Sequence, residues 1–137
     1  MSDKAKHIVS QMFEKDDFSQ WLGIERVLIE EGHCILKMTV RKEMTNGFDI
    51  AHGGISYALA DSALAFASNS RGQIAVSIET SISHTKAVFI NDTLVAVANE
   101  LNLSKKLAQY EVKVTNQKDE IVALFKGTVF RKTESWV

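Results

Sequence analysis

Asp61 is the residue whose type and setting most invite chemistry. It is the only charged side chain between Ala51 and Ser70, a stretch otherwise of small, apolar and hydroxyl residues. Read as a helix, its neighbours at three and four positions are Tyr57, Ala58, Leu64 and Ala65. No cation is there to form the i,i+4 pair that stabilises exposed helical carboxylates. Isolated burial of an ionised carboxylate is costly, so the group must reach a polar pocket, an interface or a substrate. The plainer alternative is a thin solvated stripe shared with Ser62 and Ser68. The same segment opens on His52-Gly53-Gly54. The first turn of a helix carries unpaired N–H groups and a partial positive charge. Glycine there lets a ligand oxygen approach the backbone closely, although a plain helix-entry turn uses glycine too. Eight residues separate Gly53 from Asp61, about 12 Å of helix rise, too far for both to act on one carbonyl within one chain. If both do, the geometry calls for two chains with antiparallel helices and an active site shared across a twofold dimer.

Other chemistries find little support. Gly54-Ile55-Ser56 continues as Tyr57-Ala58 and is not a G-x-S-x-G nucleophile elbow. H-E-x-x-H, Walker A and dinucleotide G-x-G-x-x-G patterns do not occur. His7, His33, His52 and His84 are scattered without ligand spacing, so the expectation is no metal and no cofactor. The single cysteine, Cys34, shares its parity with Leu36, Met38 and Val40, which makes it a core thiol and not a nucleophile.

These residues need a scaffold, and the alternation of polar and apolar residues suggests one. Residues 3–15, within a helical segment 1–22, place Ile8, Val9, Met12 and Phe13 on one face. Strand-like runs follow at about 24–30 and 33–41, then a loop 42–52 around Asn46-Gly47. The span 53–70 has the composition of a helix apolar on nearly every side, hence buried, with Gly72 placed to stop it. Four more strands are expected at about 73–84, 92–103, 107–117 and 120–131, the last two joined by a turn at Asn116–Asp119. Ile121–Phe125 is apolar on both parities and should be central or covered on both faces. The pattern predicts one α+β domain over 1–137, an antiparallel sheet of about five to six strands wrapped around one long central helix. With 16 Lys+Arg against 17 Asp+Glu there is no basic excess for nucleic acid. No apolar run reaches membrane-spanning length and no apolar stretch follows Ser2-Asp3-Lys4-Ala5-Lys6, so a cytoplasmic protein without a membrane partner is expected.

Asn46-Gly47, His52-Gly53-Gly54 and Leu59-Ala60-Asp61, followed by the Ser77 strand and Asn91-Asp92-Thr93-Leu94, form a specific constellation. With Asn116-Gln117 and Val122-Ala123-Leu124-Phe125, the chain resembles the hotdog-fold acyl-CoA thioesterases from about residue 42 to 131. It is most similar to their phenylacetic-acid-degradation (PaaI-type) branch. The resemblance implies subunits paired edge to edge, and a homotetramer built as a dimer of dimers. It implies that Asp61 of one subunit activates water or attacks the thioester directly, while the Gly53 N–H of the other polarises the carbonyl. Asn46 would place the carbonyl or the water, His52 would shape the loop, and Ser77 would help orient the water. Gly54 would contact the substrate, and Lys105 or Lys106 would meet a coenzyme phosphate. Asn46-Gly47 is equally a turn signal, and Ser77 sits opposite Ile74, Val76 and Ile78 on a parity that could simply face solvent. The chain departs from the family at Thr85–Ile90, which lacks the usual proline, and at Ser104-Lys105, where Gly-Lys is common. Both departures leave the acyl preference open, with an aryl-acetyl group implied by the branch. The alternatives are a hotdog enoyl-CoA hydratase/dehydratase, disfavoured by Gly-Gly after His52, and a non-catalytic acyl-CoA-binding module, which would bind without releasing thiol.

Overall fold

In the computed structural model, which describes residues 2–137, the alternation in the sequence becomes rows of side chains across one sheet. The elements are α1 (Ser2–Glu14), α2 (Asp17–Leu22), β1 (Glu25–Glu30), β2 (His33–Thr39), α3 (Gly53–Asn69), β3 (Gln73–His84), β4 (Thr93–Leu103), β5 (Leu107–Thr115) and β6 (Ile121–Ser135). The six strands form an entirely antiparallel sheet in the order β1-β2-β4-β5-β6-β3. Residues directly opposite in such a ladder point to the same face. Cys34, Ala98, Val112, Phe125 and Ile82 therefore make one row across five strands. Leu36, Ala96, Val114, Ala123 and His84 make the next. Except for Ile82 and His84 on the edge strand, every member of both rows is buried, and α3 lies against this face.

The central helix needs room on the sheet. A Cβ at Gly127 of β6 would lie 2.6 Å from Leu64 Cδ2 of α3, so glycine is what lets the helix settle there. Small residues on α3 (Ala60, Ala63, Ala67) are fully buried, and Cys34 Sγ sits 3.3 Å from the Ala63 carbonyl, to which it donates. Burial pushes the Cys34 thiol up to about 12, in keeping with a structural role.

Two expectations need amendment and one is met. The N-terminal helical segment is two helices, because Asp16 caps a new start by accepting from the Ser19 N–H at 2.9 Å. Strand β6 is interior to the sheet, as the run Ile121–Phe125 implied; Ile121 (40% exposed) and Leu124 (44%) are open on its outer side, so a single chain covers only one face. The alternation in β3 is broken. The pairing with β6 passes from Ser77–Val129 to Glu79–Thr128 and leaves Ile78 as a bulge. Before it the residues Ala75 and Ser77 face α3; after it Thr80, Ile82 and His84 do, since Ser77 joins the buried row Ala108–Val129.

Candidate active site

The sequence places Asp61 two turns into α3, and the fold brings three things to it. The first is a cleft of about 290 Å³ between α3 and the first half of β3, lined by Asp61, Leu64, Ala65, Val76, Ser77 and Val129. Asp61 and Ser77, 16 positions apart in sequence, thus share one small, mostly apolar space. The second is α2, tied to α3 beside Asp61: Ser19 Oγ donates to Asp16 Oδ2 at 2.6 Å and lies 2.8 Å from Ser62 Oγ. The third is electrostatic. Loss of water at the cleft wall raises the Asp61 carboxyl above the usual range, and the Asp16 charge pushes it the same way. A carboxylate that binds a proton more readily than free aspartate suits a base. Asp16 is absent from the sequence-based set; its only signal is the Asp-x-x-Ser capping pattern, which does not say where α2 will dock.

Gly53 lies at the start of the helix, in a separate cleft of about 400 Å³ with Ser56, His84, Lys86 and Val88. His52 precedes it in an extended conformation (φ −57°, ψ 142°), and its N–H bonds the Met44 carbonyl at 3.0 Å. Its side chain is exposed, as are Gly53 and Gly54. As the first residues of α3, the two glycines have no acceptor four residues back within the helix. The loop before them is stitched to the segment after β3 by Ala51 N–H to Val88 O (2.7 Å) and Ile90 N–H to Asp49 O (3.1 Å). Asn46 holds that loop in shape. Its Oδ1 accepts from the N–H groups of Phe48 (2.8 Å) and Ile50 (3.3 Å), so only its NH₂ group is left for a ligand.

Lys105 and Lys106 are exposed in the β4–β5 turn. The register Leu107–Phe130–Val76 puts that turn at the sheet end where β3 begins, away from Gly53 of the same chain. One chain therefore joins Asp61 with Ser77, and Gly53 with His52, but does not join the two sets. His84, unassigned from the sequence, enters the Gly53 cleft. The even parity of Thr80, Ile82 and His84 would have revealed it, had the bulge at Ile78 been foreseeable. Among the described residues no three His, Cys, Asp or Glu side chains converge in a way that could hold a metal ion, and no helix is long and apolar enough to cross a membrane.

Comparison with known proteins gives a consistent result. Residues 48–123 match the thioesterase superfamily. The acyl-coenzyme A thioesterase PaaI of Escherichia coli is 37% identical over 96% of this chain and 94% of its own. The structure of the E. coli PaaI protein, from the phenylacetic acid degradation operon, superposes with a TM-score of 0.95 over 98% of this chain and 97% of that one, at 36% identity. A Streptococcus mutans protein bound to acetyl CoA is 30% identical, with a TM-score of 0.77 over 80% of this chain and 88% of its own.

Proposed function

The chain belongs to the thioesterase superfamily, as a hotdog-fold thioester hydrolase of the PaaI type, and from that premise we propose that it converts a small acyl-CoA and water to the free acid and coenzyme A at a site shared by two subunits. An aryl-acetyl group is the foremost acyl candidate. The observation that carries the mechanism is Asp61, a carboxylate in an apolar cleft with raised proton affinity and no cationic partner on its helix. Asp61 activates water, or attacks the carbonyl carbon itself, while Ser77 in the same cleft orients the attacking group. The Gly53 N–H, with Gly54 beside it, receives the carbonyl oxygen as it becomes an oxyanion. His52 and Asn46 hold the loop that presents those N–H groups, the latter keeping its NH₂ for the carbonyl or the water. Lys105 and Lys106 are the cations offered to the coenzyme phosphates.

The two clefts lie toward opposite ends of β3, at Ser77 and at His84, and β3 is an edge strand with Val76 and Ile78 exposed. Pairing β3 with its own copy about a twofold axis near Thr80 would set Val76 of one subunit opposite His84 of the other. Asp61 of the first subunit then faces Gly53 of the second, which supports the shared site that the helix rise requires. Exposed Leu101 and Leu124 on the outer sheet face are apolar surface that a dimer of dimers would bury.

The test is thiol release from aromatic, short-chain and long-chain acyl-CoAs by the wild type, Asp61→Ala and Asp61→Asn. Turnover by the wild type and a loss of at least about 100-fold in both variants is expected, with the fold retained by circular dichroism. Near-normal hydrolysis by either variant removes Asp61 from the mechanism. Saturable binding of acyl-CoA without thiol release by the wild type replaces the hydrolase reading with a binding module.

A further inference from the structure

The thioesterase reading uses one backbone donor at Gly53 and leaves the side chain nearest to it without a task. His84 ends β3 on the helix-facing row with Leu36, Ala96, Val114 and Ala123, so its ring is aimed at the start of α3. The point a Cβ on Gly53 would occupy lies 3.1 Å from His84 Nε2, 3.4 Å from Cε1 and 3.7 Å from Cδ2. The imidazole thus presents its Nε2 edge to Gly53, and any larger residue at position 53 would crowd it. Both residues border the same 400 Å³ cleft, and His84 is exposed. Among the described residues neither ring nitrogen has a hydrogen-bond partner.

We propose that His84 is a second hydrogen-bond donor to the thioester carbonyl oxygen, acting beside the Gly53 N–H of its own chain. This rests on the thioesterase reading above and extends it. The distances permit it. A backbone nitrogen and a Cβ on the same Cα are about 2.5 Å apart, so His84 Nε2 is within about 5.6 Å of the Gly53 nitrogen. Two donors each about 2.9 Å from one oxygen can stand up to about 5.8 Å apart. An imidazole with a proton on Nε2 supplies the N–H. When the attacking oxygen adds to the carbonyl carbon, the π pair moves onto the carbonyl oxygen, and both hydrogen bonds strengthen as that charge develops. When the intermediate collapses, the pair returns, the carbon–sulfur bond breaks and coenzyme A leaves as the thiolate. His84 transfers no proton in either step.

The experiment compares steady-state hydrolysis by the wild type, Asp61→Asn, His84→Phe and His84→Gln on the best acyl-CoA of the panel. Phe keeps a ring and removes the donor, while Gln restores an N–H. The expected result is a kcat at least about tenfold lower for His84→Phe, with KM changed by less than about threefold, and partial recovery in His84→Gln. A His84→Phe enzyme with wild-type kcat overturns the proposal. So does a variant pair that raises KM equally at unchanged kcat, which is the mark of packing against substrate. No hydrolysis by the wild type overturns the thioesterase reading and this inference with it, whereas loss in Asp61→Asn alone overturns only this inference.

Discussion

Two pushes act on the Asp61 carboxyl, loss of water first and the Asp16 charge second, and both favour the protonated form. If Asp61 must be ionised to work, kcat falls as pH drops through a value above the ordinary aspartate pKa of about 3.9. A pH–rate profile flat down to pH 4 would contradict that role. The same shift has a consequence for stability. Between the unfolded pKa and the higher folded one the native state binds more protons, so stability falls as pH rises through that window. Asp61→Asn escapes the loss. Its Tm should exceed that of the wild type at neutral pH, with the gap narrowing when both are melted in acid below the unfolded pKa. An equal or lower Tm at pH 7 would argue that the carboxylate is better solvated than its cleft implies. Asp61 was legible from sequence because a lone charge without a cation at i±3 or i±4 stands out. Asp16 and His84 were not, because each reaches the site through the docking or register of a distant segment.

At the level of elements, the site depends on how α3 is seated. Gly127 meets Leu64, whose side chain is buried and has little freedom to move aside. Gly127→Ala should cost about 1–3 kcal/mol through overpacking, read by chemical denaturation, with a matching loss of activity as α3 shifts against β3. Unchanged stability would show that Leu64 rotates away at no cost. Strand positions were legible wherever polar and apolar residues alternate, as in β2 and β5, whose buried residues are those the parity selected. The capped start of α2 went unread because six residues are too short for a periodic signal. The bulge in β3 was hidden for a related reason. Val76-Ser77-Ile78 reads as perfect alternation, and only the ladder with β6 shows that Ile78 is skipped.

For the whole molecule, the strongest expectation concerns two inactive variants restoring one another. Gly53→Pro removes the N–H at the first helical position, where the backbone tolerates proline, and it also crowds His84 in the same half of the site; the extended His52 backbone already suits a residue before proline. Asp61→Asn leaves that N–H intact. Each variant alone should be inactive. Coexpressed in equal amounts, random pairing about a twofold axis gives about a quarter of wild-type sites, one intact site in each mixed dimer. No recovery despite demonstrated mixed dimers would place both groups in one chain's site, against the distance along α3. The β3 edge makes a second statement at this scale. Long exposed edge strands invite pairing, so Thr80→Pro, at the centre of the proposed pairing, should shift the protein toward monomer in sedimentation and abolish turnover.

The chain's only sulfhydryl is sealed beneath the central helix, with its proton affinity raised to about 12. Burial therefore keeps the thiol protonated under assay conditions. Each turnover would release a thiol, coenzyme A, beside a protein that has no nucleophilic sulfur to offer it. Conditions that convert the product to disulfides would form no mixed disulfide with the enzyme, since exchange needs a thiolate on the surface. A chromogenic thiol reagent added to the native protein should therefore stay silent until substrate is supplied, and every equivalent of colour would count a broken thioester.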